Sequence, residues 1–121
     1  MAKIINLPTF SDMRGDLTVI EKITDYDFKR VYYIYGTDDG VRGGHRHHRT
    51  KQLLISINGS CEVFCENEEL EKKTYKLDSP DKCLLLESED WHTMQKFTKD
   101  CILLVLASEY YDVNDYIDEK Y

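Results

Sequence analysis

The sequence has no long apolar run. None of its apolar stretches approaches the roughly 20 residues that a helix needs to cross a membrane. Residues 1–6 also lack the apolar core of a secretory signal peptide. We therefore expect no membrane partner and a cytoplasmic location.

Positive charge is scarce as well. Lys and Arg number 16 against 23 Asp and Glu residues, which leaves a formal net charge of −7 at pH 7. Because Lys and Arg neutralise phosphates in protein–nucleic acid complexes, this balance argues against a nucleic acid polymer as partner. A single nucleotide or sugar nucleotide needs only a few arginines and is compatible with the composition.

Cysteine occurs four times, which would be enough for two disulfides or one zinc site. The interval between Cys61 and Cys65 does not match the tight knuckle of a zinc ribbon, and Cys83 and Cys101 lie beside apolar runs. Since disulfides are rare in the cytosol, we predict four buried free thiols.

Helical periodicity is nearly absent, and only residues 112–121 could form a helix. The turn pair Asn58-Gly59 predicts a hairpin between its two flanking runs. Short strand-like runs at intervals of roughly ten residues indicate an antiparallel sandwich or barrel, so we predict one all-β domain over residues 1–121. These runs are residues 4–10, 17–21, 28–35, 41–47, 52–57, 60–65, 74–77, 83–86, 92–97 and 101–107.

Histidine is concentrated in one place. Residues 42–52 contain three of the four histidines, together with three arginines. If residues 41–47 form a strand, His45 and His47 point to the same face. Two imidazoles on one face can bind a metal ion or transfer protons, and the residues alone leave both uses open.

The spacing of His45, His47 and Gln52, with His92 downstream, resembles that of the cupin jelly roll. Metal-binding cupins have two histidines, a glutamate and a third histidine at these positions. Gln52 replaces the glutamate, and a neutral amide lacks the anionic charge that helps to hold a divalent cation. Three imidazoles and an amide could still bind zinc, nickel or iron, so a metal-dependent cupin enzyme is one alternative.

Six motifs are spread over nearly the whole chain. They are RGDL at residues 14–17, KRVYYI at 29–34, RGGHRH at 42–47, Gln52, WHTM at 91–94 and VLASEYYD at 105–112. In content and order they resemble the motifs of the sugar-nucleotide 3,4-ketoisomerases, cupin-fold enzymes that act on dTDP-4-keto-6-deoxy-D-glucose. The resemblance implies an antiparallel double-stranded β-helix jelly roll, no metal or cofactor, and a homodimer that exchanges the N-terminal strand, residues 3–10.

Two positions depart from the family. Arg46 stands between the histidines where the family has a small residue, and strand alternation predicts that it faces away from the site. Asp118 stands where the family often has an arginine, so that arginine's contacts cannot be carried over to this chain.

The histidines suit the chemistry of this family. Moving a carbonyl from C4 to C3 of a sugar requires a base with a pKa near neutrality, which histidine supplies, and hydrogen-bond donors around the enediolate oxygens. The resemblance implies that His45 is the base at C3 and C4 and that His47 passes a proton between O3 and O4.

Several residues are predicted to hold the substrate. Arg42, Gln52, Tyr33 and Tyr35 are candidates to orient the sugar or polarise its carbonyl, although strand packing would also explain both tyrosines. Arg30 suits the pyrophosphate because a guanidinium can bind two phosphate oxygens at once. An ion pair with Glu21 is the structural alternative for that arginine.

The configuration of the product is predicted from Arg14 and His92. Both resemble the branch of the family whose products have the galacto configuration. A supporting contact with Trp91 is the alternative explanation for His92.

The predicted activity is the conversion of dTDP-4-keto-6-deoxy-D-glucose into a dTDP-3-keto-6-deoxyhexose, a step toward a 3-amino-3,6-dideoxysugar of a surface polysaccharide. A non-catalytic sugar-binding cupin is a further alternative, but it would leave two convergent histidines without a task. A sugar-nucleotide 3,5-epimerase, which pairs a histidine with an aspartate and a tyrosine in a longer chain, matches the sequence less well.

Overall fold

The structure is a computed structural model of residues 1–121 and consists almost entirely of β-strands. Its one helical element is a single 3₁₀ turn, Val113–Asp115. The prediction of an all-β protein is confirmed. The strands are β1 (Lys3–Asn6), β2 (Thr9–Asp12), β3 (Gly15–Thr18), β4 (Arg30–Ile34), β5 (Arg42–His47), β6 (Gln52–Asn58), β7 (Cys61–Glu66), β8 (Lys72–Leu77), β9 (Lys82–Leu86), β10 (Trp91–Gln95), β11 (Ile102–Ala107) and β12 (Tyr116–Ile117).

Two five-stranded antiparallel sheets form the body of the molecule. One has the strand order β1-β9-β6-β11-β4 and the other β12-β5-β10-β7-β8, while β2 and β3 form a separate hairpin. A cluster of 15 buried residues draws on both sheets, because alternate side chains of each strand point inward, such as Cys61, Val63 and Cys65 of β7. The predicted antiparallel jelly roll is therefore confirmed.

The first sheet is covered on both faces. Leu54 of β6 belongs to the core between the sheets, whereas Leu53 and Ile55 belong to a second buried cluster on the opposite face. The segment between β3 and β4 packs on that face through the partly buried Ile23 and Phe28. Burial on both faces explains why β6 reads as a continuous apolar run instead of an alternating one.

The N-terminal segment does not form the single strand predicted for residues 4–10. It breaks at Leu7-Pro8, because Leu7 is buried and its N–H donates to the Asp81 carbonyl, while Pro8 has no N–H to donate. β1 pairs with β9 of the same chain. β2 and β3 then form a hairpin that includes the residues between the predicted strands 4–10 and 17–21, and Arg14 lies at its tip.

The Asn58-Gly59 turn does not close a hairpin, contrary to the prediction. β6 pairs with β9 and β11, whereas β7 pairs with β8 and β10, so the turn carries the chain from one sheet to the other. The Asn58 side chain donates to the Asp100 carbonyl at 2.8 Å, and Gly59 has a φ of 65°. The turn is therefore held by tertiary contacts at this corner of the sandwich and not by pairing between the strands on either side of it.

The C-terminal segment is not a helix, so that prediction is also wrong. The Asp115 carboxylate is buried and accepts hydrogen bonds from the backbone N–H groups of Arg49 and Thr50 and from the Thr50 hydroxyl. These bonds dock the chain beside β5, where β12 pairs with it as an edge strand.

All four cysteines are buried free thiols, as predicted. Burial raises the pKa of Cys61, Cys65 and Cys83 to about 12, so these thiols are uncharged at neutral pH. No helix of the structure has the length and apolar character needed to cross a membrane.

Candidate active site

A cleft of about 320 Å³ opens between the two sheets. Its walls come from β4, β6 and β11 of one sheet, from β5 and β10 of the other, and from the C-terminal segment. The volume falls in the range of small-molecule binding sites. The polar and aromatic side chains among its lining residues are Arg30, Tyr32, Arg42, His45, Gln52, His92, Tyr111 and Tyr116.

A β-bulge directs His45 into this cleft. The register between β5 and β10 shifts by one residue at Gly44, which has no partner on β10. Gly43 and Gly44 have φ values of 82° and 84°, which residues other than glycine rarely adopt. The extra residue interrupts the alternation of β5, so Arg42 and His45 line the same cleft although they are three positions apart.

Three imidazole rings converge beside the cleft. The ring centroid of His45 is 5.1 Å from that of His47 and 5.2 Å from that of His92. His45 is half-buried and lines the cleft, whereas His47 is 4% exposed and His92 is 2% exposed. His45 is therefore the most exposed imidazole of the cleft, which His92 also lines, whereas His47 lies behind His45.

Burial keeps all three histidines uncharged in the absence of substrate. It lowers the pKa of His45, lowers that of His47 to about 4 and lowers that of His92 to about 3. Nearby carboxylates oppose this effect, with Asp118 acting on His45 and Asp115 on His47. The rings are consequently neutral near pH 7, which is the state in which a histidine can accept a proton.

The structure also shows which ring nitrogens have hydrogen-bond partners and which do not. Nδ1 of His92 lies 3.1 Å from the backbone carbonyl oxygen of Asp90, so Nδ1 carries the proton of the neutral ring. Nε2 of His47 is buried and has no hydrogen-bond partner. An unpaired nitrogen at this position can accept a proton from a group in the cleft.

Two arginines give the cleft positive charge. The Arg30 guanidinium packs over the rings of Tyr32 and Tyr111, at 5.0 and 5.7 Å from their centroids, and its buried Nε has no partner. Neither Arg30 nor Arg42 forms an ion pair, so the proposed pair between Arg30 and Glu21 is absent. Free guanidinium groups are suited to binding phosphate oxygens.

Gln52 takes the position at which metal-binding cupins have a glutamate. It is 3% exposed, and its Nε2 donates to the Tyr32 hydroxyl at 3.1 Å. Nowhere in the structure is a group of three or more His, Cys, Asp or Glu side chains arranged to hold a metal ion.

The structure places some predicted residues away from the cleft. Tyr33 and Tyr35 share a face and stack at 5.8 Å, as alternation predicts, but this face is the outer one, where they are 61% and 67% exposed. Arg14 lies on the exposed β2–β3 hairpin, paired with Asp12 at 2.6 Å. None of these three residues lines the cleft of its own chain.

Sequence reasoning missed three tyrosines of the cleft. Tyr32 could have been found, because alternation along β4 places it on the same face as Arg30. Tyr111 lies in the motif VLASEYYD at residues 105–112, but neither it nor Tyr116 could be assigned to the cleft, since they follow β11 in a segment whose course depends on tertiary contacts. Arg30, Arg42, His45, Gln52 and His92 line the cleft, and His47 lies directly behind His45. The outward direction predicted for Arg46 is confirmed by its packing on Tyr121.

Comparisons with known proteins identify the family to which a chain with this fold and cleft belongs. The family model described as "FdtA: WxcM-like, C-terminal" matches residues 1–121. The TDP-4-oxo-6-deoxy-alpha-D-glucose-3,4-oxoisomerase of Aneurinibacillus thermoaerophilus is 42% identical over 118 residues, which are 95% of this chain and 84% of that protein.

Solved structures point the same way. One is a mutant of the 3,4-ketoisomerase QdtA from Thermoanaerobacterium thermosaccharolyticum in complex with TDP-4-keto-6-deoxyglucose. It is 41% identical to this chain with a TM-score of 0.91, and the alignment covers 98% of this chain and 87% of the QdtA chain. A 3,4-ketoisomerase from Helicobacter canadensis is 38% identical with a TM-score of 0.91, covering 98% and 90%. The chain therefore belongs to the FdtA family and is a sugar-nucleotide 3,4-ketoisomerase.

Proposed function

We propose that this enzyme converts dTDP-4-keto-6-deoxy-D-glucose into the dTDP-3-keto-6-deoxyhexose of galacto configuration by proton transfer between histidines and sugar. The observation that carries the proposal is the convergence of neutral imidazoles on a cleft that also holds two unpaired arginines. Relatives with TDP or the 4-keto sugar bound support the choice of substrate.

His45 is the base at carbon in this mechanism, because it is the histidine of β5 that lines the cleft. Its neutral ring takes the proton from C3, and the electron pair of that bond forms the C3–C4 double bond of an enediol. The developing charge lies on O4 and is stabilised by hydrogen-bond donors of the cleft, for which Gln52 and Arg42 are the candidates.

His47 moves the hydroxyl proton. Its unpaired Nε2 accepts the proton that O3 loses and returns one to O4, while the C3 carbonyl forms and C4 takes a proton from protonated His45. Protons and electrons balance over the cycle, so the net change is the exchange of ketone and alcohol between C3 and C4. The lowered pKa of both histidines keeps them neutral between turnovers.

Arg30 holds the pyrophosphate in this proposal, whereas Arg42 acts on the sugar. Arg30 lines the cleft and is not neutralised by a carboxylate. The galacto product is proposed because Arg14 and His92 resemble that branch of the family. His92 lines the cleft of its own chain, whereas Arg14 would have to reach the cleft of a second chain.

A homodimer is therefore part of the proposal. The β2–β3 hairpin exposes Phe10 and Leu17, which are 65% and 60% exposed, and it projects Arg14 at its tip. Apolar side chains presented in this way are typical of a surface that another chain covers.

The product would then enter synthesis of a 3-amino-3,6-dideoxysugar, since a 3-keto sugar is the form that a transaminase accepts.

The test is proton NMR of dTDP-4-keto-6-deoxy-D-glucose with the purified protein in deuterated buffer containing a chelator. We expect a 3-keto product with deuterium at C4, and the coupling constants of the ring protons should report the galacto configuration. An unchanged substrate would contradict the function, and couplings of the gluco isomer would contradict only the configuration.

Substitution of each histidine separates the two proton transfers. His45→Asn should abolish both deuterium exchange at C3 and ketone transfer, because no carbon base remains. His47→Asn should lower ketone transfer by about 100-fold or more, within the range of general acid–base catalysis, yet still allow exchange at C3. Circular dichroism and TDP binding serve as controls for folding. Full activity of His45→Asn would contradict its assignment as base.

A further inference from the structure

Tyr116 lies against both histidines of β5. Its ring centroid is 4.7 Å from that of His45 and 4.8 Å from that of His47, and its side chain lines the cleft. In the antiparallel pairing of β12 with β5, Tyr116 is directly opposite His47, so both side chains leave the sheet on the same side. The contact thus follows from strand register.

The backbone on both sides of Tyr116 is anchored. Before it, the buried Asp115 carboxylate is held by the loop that follows β5. After it, Nε of Arg46 donates to the Glu119 carbonyl at 3.1 Å, and the hydroxyl of Tyr121 donates to the Glu89 carbonyl at 2.8 Å. This anchoring limits how far the Tyr116 ring can move away from the histidines.

The other contacts of the two imidazoles are few, and His45 has most of them: a backbone hydrogen bond to Gly43 and packing against the His92 ring. No carboxylate hydrogen bonds to either ring, and Nε2 of His47 has no partner at all. The rings cross at an interplanar angle of 80°, and Tyr116 meets them at 68° and 62°. Packing therefore sets the direction of the ring nitrogens of His47, and for His45 it acts together with the backbone hydrogen bond to Gly43.

We propose that Tyr116 is a positioning residue whose ring holds His45 and His47 in the crossed arrangement needed for the two proton transfers. The inference rests on the ketoisomerase mechanism proposed above. Without the ring, the imidazoles gain rotational freedom, and a misplacement of about 1 Å in a catalytic group costs on the order of 100-fold in rate.

The experiment compares Tyr116→Leu, Tyr116→Phe and Tyr110→Leu in the full chain. Tyr116→Leu removes the ring, and we expect kcat to fall about 100-fold, while the Kd for TDP changes less than about threefold. Tyr116→Phe retains the ring and should recover most of the loss. Tyr110→Leu is the matched control, because it removes a tyrosine of the chain after β11 that is 71% exposed and lies outside the cleft.

The outcomes are distinguishable from failure of the proposed function. If the unaltered protein does not convert the sugar nucleotide, the mechanism itself is wrong. If it does, a Tyr116→Leu variant with unaltered kcat overturns the inference about Tyr116 alone. An equal loss of kcat in Tyr110→Leu would also overturn it, since the loss would then not be specific to the ring that contacts the histidines.

Two further measurements apply if Tyr116→Leu does not fold. Tyr116→Met fills similar space without a ring and carries the same expectation for kcat. In the unaltered protein, NMR should show nuclear Overhauser contacts from the Tyr116 ring protons to the ring protons of both His45 and His47. Absence of either contact would overturn the inference.

Discussion

At the scale of single residues, the site depends on imidazoles that remain neutral because they are buried. His47 has a pKa of about 4 and His92 of about 3 in the folded protein, with burial as the main cause. An unfolded chain exposes the same rings to water, where a histidine has a pKa of about 6.5. The unfolded state therefore binds more protons between these values.

This difference predicts how stability depends on pH. The two neutral histidines contribute fully to the free energy of unfolding above about pH 6.5. This contribution is lost as the pH falls toward about 4, because protonation favours the unfolded chain. Urea unfolding at about pH 7.5 and about pH 5 should show lower stability at the acidic value. His47→Asn should lose less over the same interval, since one titrating ring is gone. An identical loss in the variant would contradict the prediction.

At the scale of elements, the bulge in β5 determines which side chains enter the cleft. A Cβ at Gly43 would lie 2.9 Å from the backbone oxygen of His92, and the φ of 82° is unfavourable for any L-residue with a side chain. Replacement by alanine must therefore shift β5 against β10, and His45 would shift with it.

Gly43→Ala is thus predicted to lower both stability and activity. We expect a loss of about 1–3 kcal/mol in the free energy of unfolding from backbone strain, and at least about a tenfold loss of kcat from displacement of His45. Gly36→Ala is the matched control, because Gly36 has a φ of 64° but nothing within 4 Å of its Cβ position. The control should lose stability without losing kcat. Equal loss of kcat in both variants would contradict a specific effect of the bulge.

At the scale of the whole molecule, exposed apolar surface is the observation behind the proposed homodimer. Besides the β2–β3 hairpin, the outer side of β4 exposes Val31 and Tyr33, at 59% and 61%. Single exposed apolar residues are common, but contiguous groups mark interfaces. Arg14 stands apart from its own cleft, and a neighbouring chain is the means by which it could take part in catalysis.

Light scattering should accordingly give a mass of about 29 kDa, twice the 14.3 kDa of one chain. Phe10→Asp places a charge on the exposed hairpin and should shift the protein toward the monomer. Thr74→Asp serves as the control, since Thr74 is exposed on β8, which belongs to neither the β2–β3 hairpin nor the sheet that contains β4. A monomer at micromolar concentration for the unaltered protein would contradict the dimer and, with it, a contribution of Arg14 to catalysis.

The sequence by itself determined the class of fold and most of the site. Strand composition and turn spacing were sufficient to predict an all-β protein, because these properties are local. Alternation placed His45 and His47 on one face and Arg46 on the other, since the period of a strand is two residues. The ordered motifs indicated the family, which the comparisons then bore out.

Only the tertiary structure decided what depends on distant contacts. The Asn58-Gly59 turn joins two sheets because its flanking strands find better partners elsewhere, and no local signal reveals that choice. Tyr33 and Tyr35 face outward because Arg30, Tyr32 and Ile34 occupy the face of β4 that lies toward the second sheet. Tyr116 reaches the histidines because a buried carboxylate docks the chain end beside β5, an interaction between residues more than 60 positions apart.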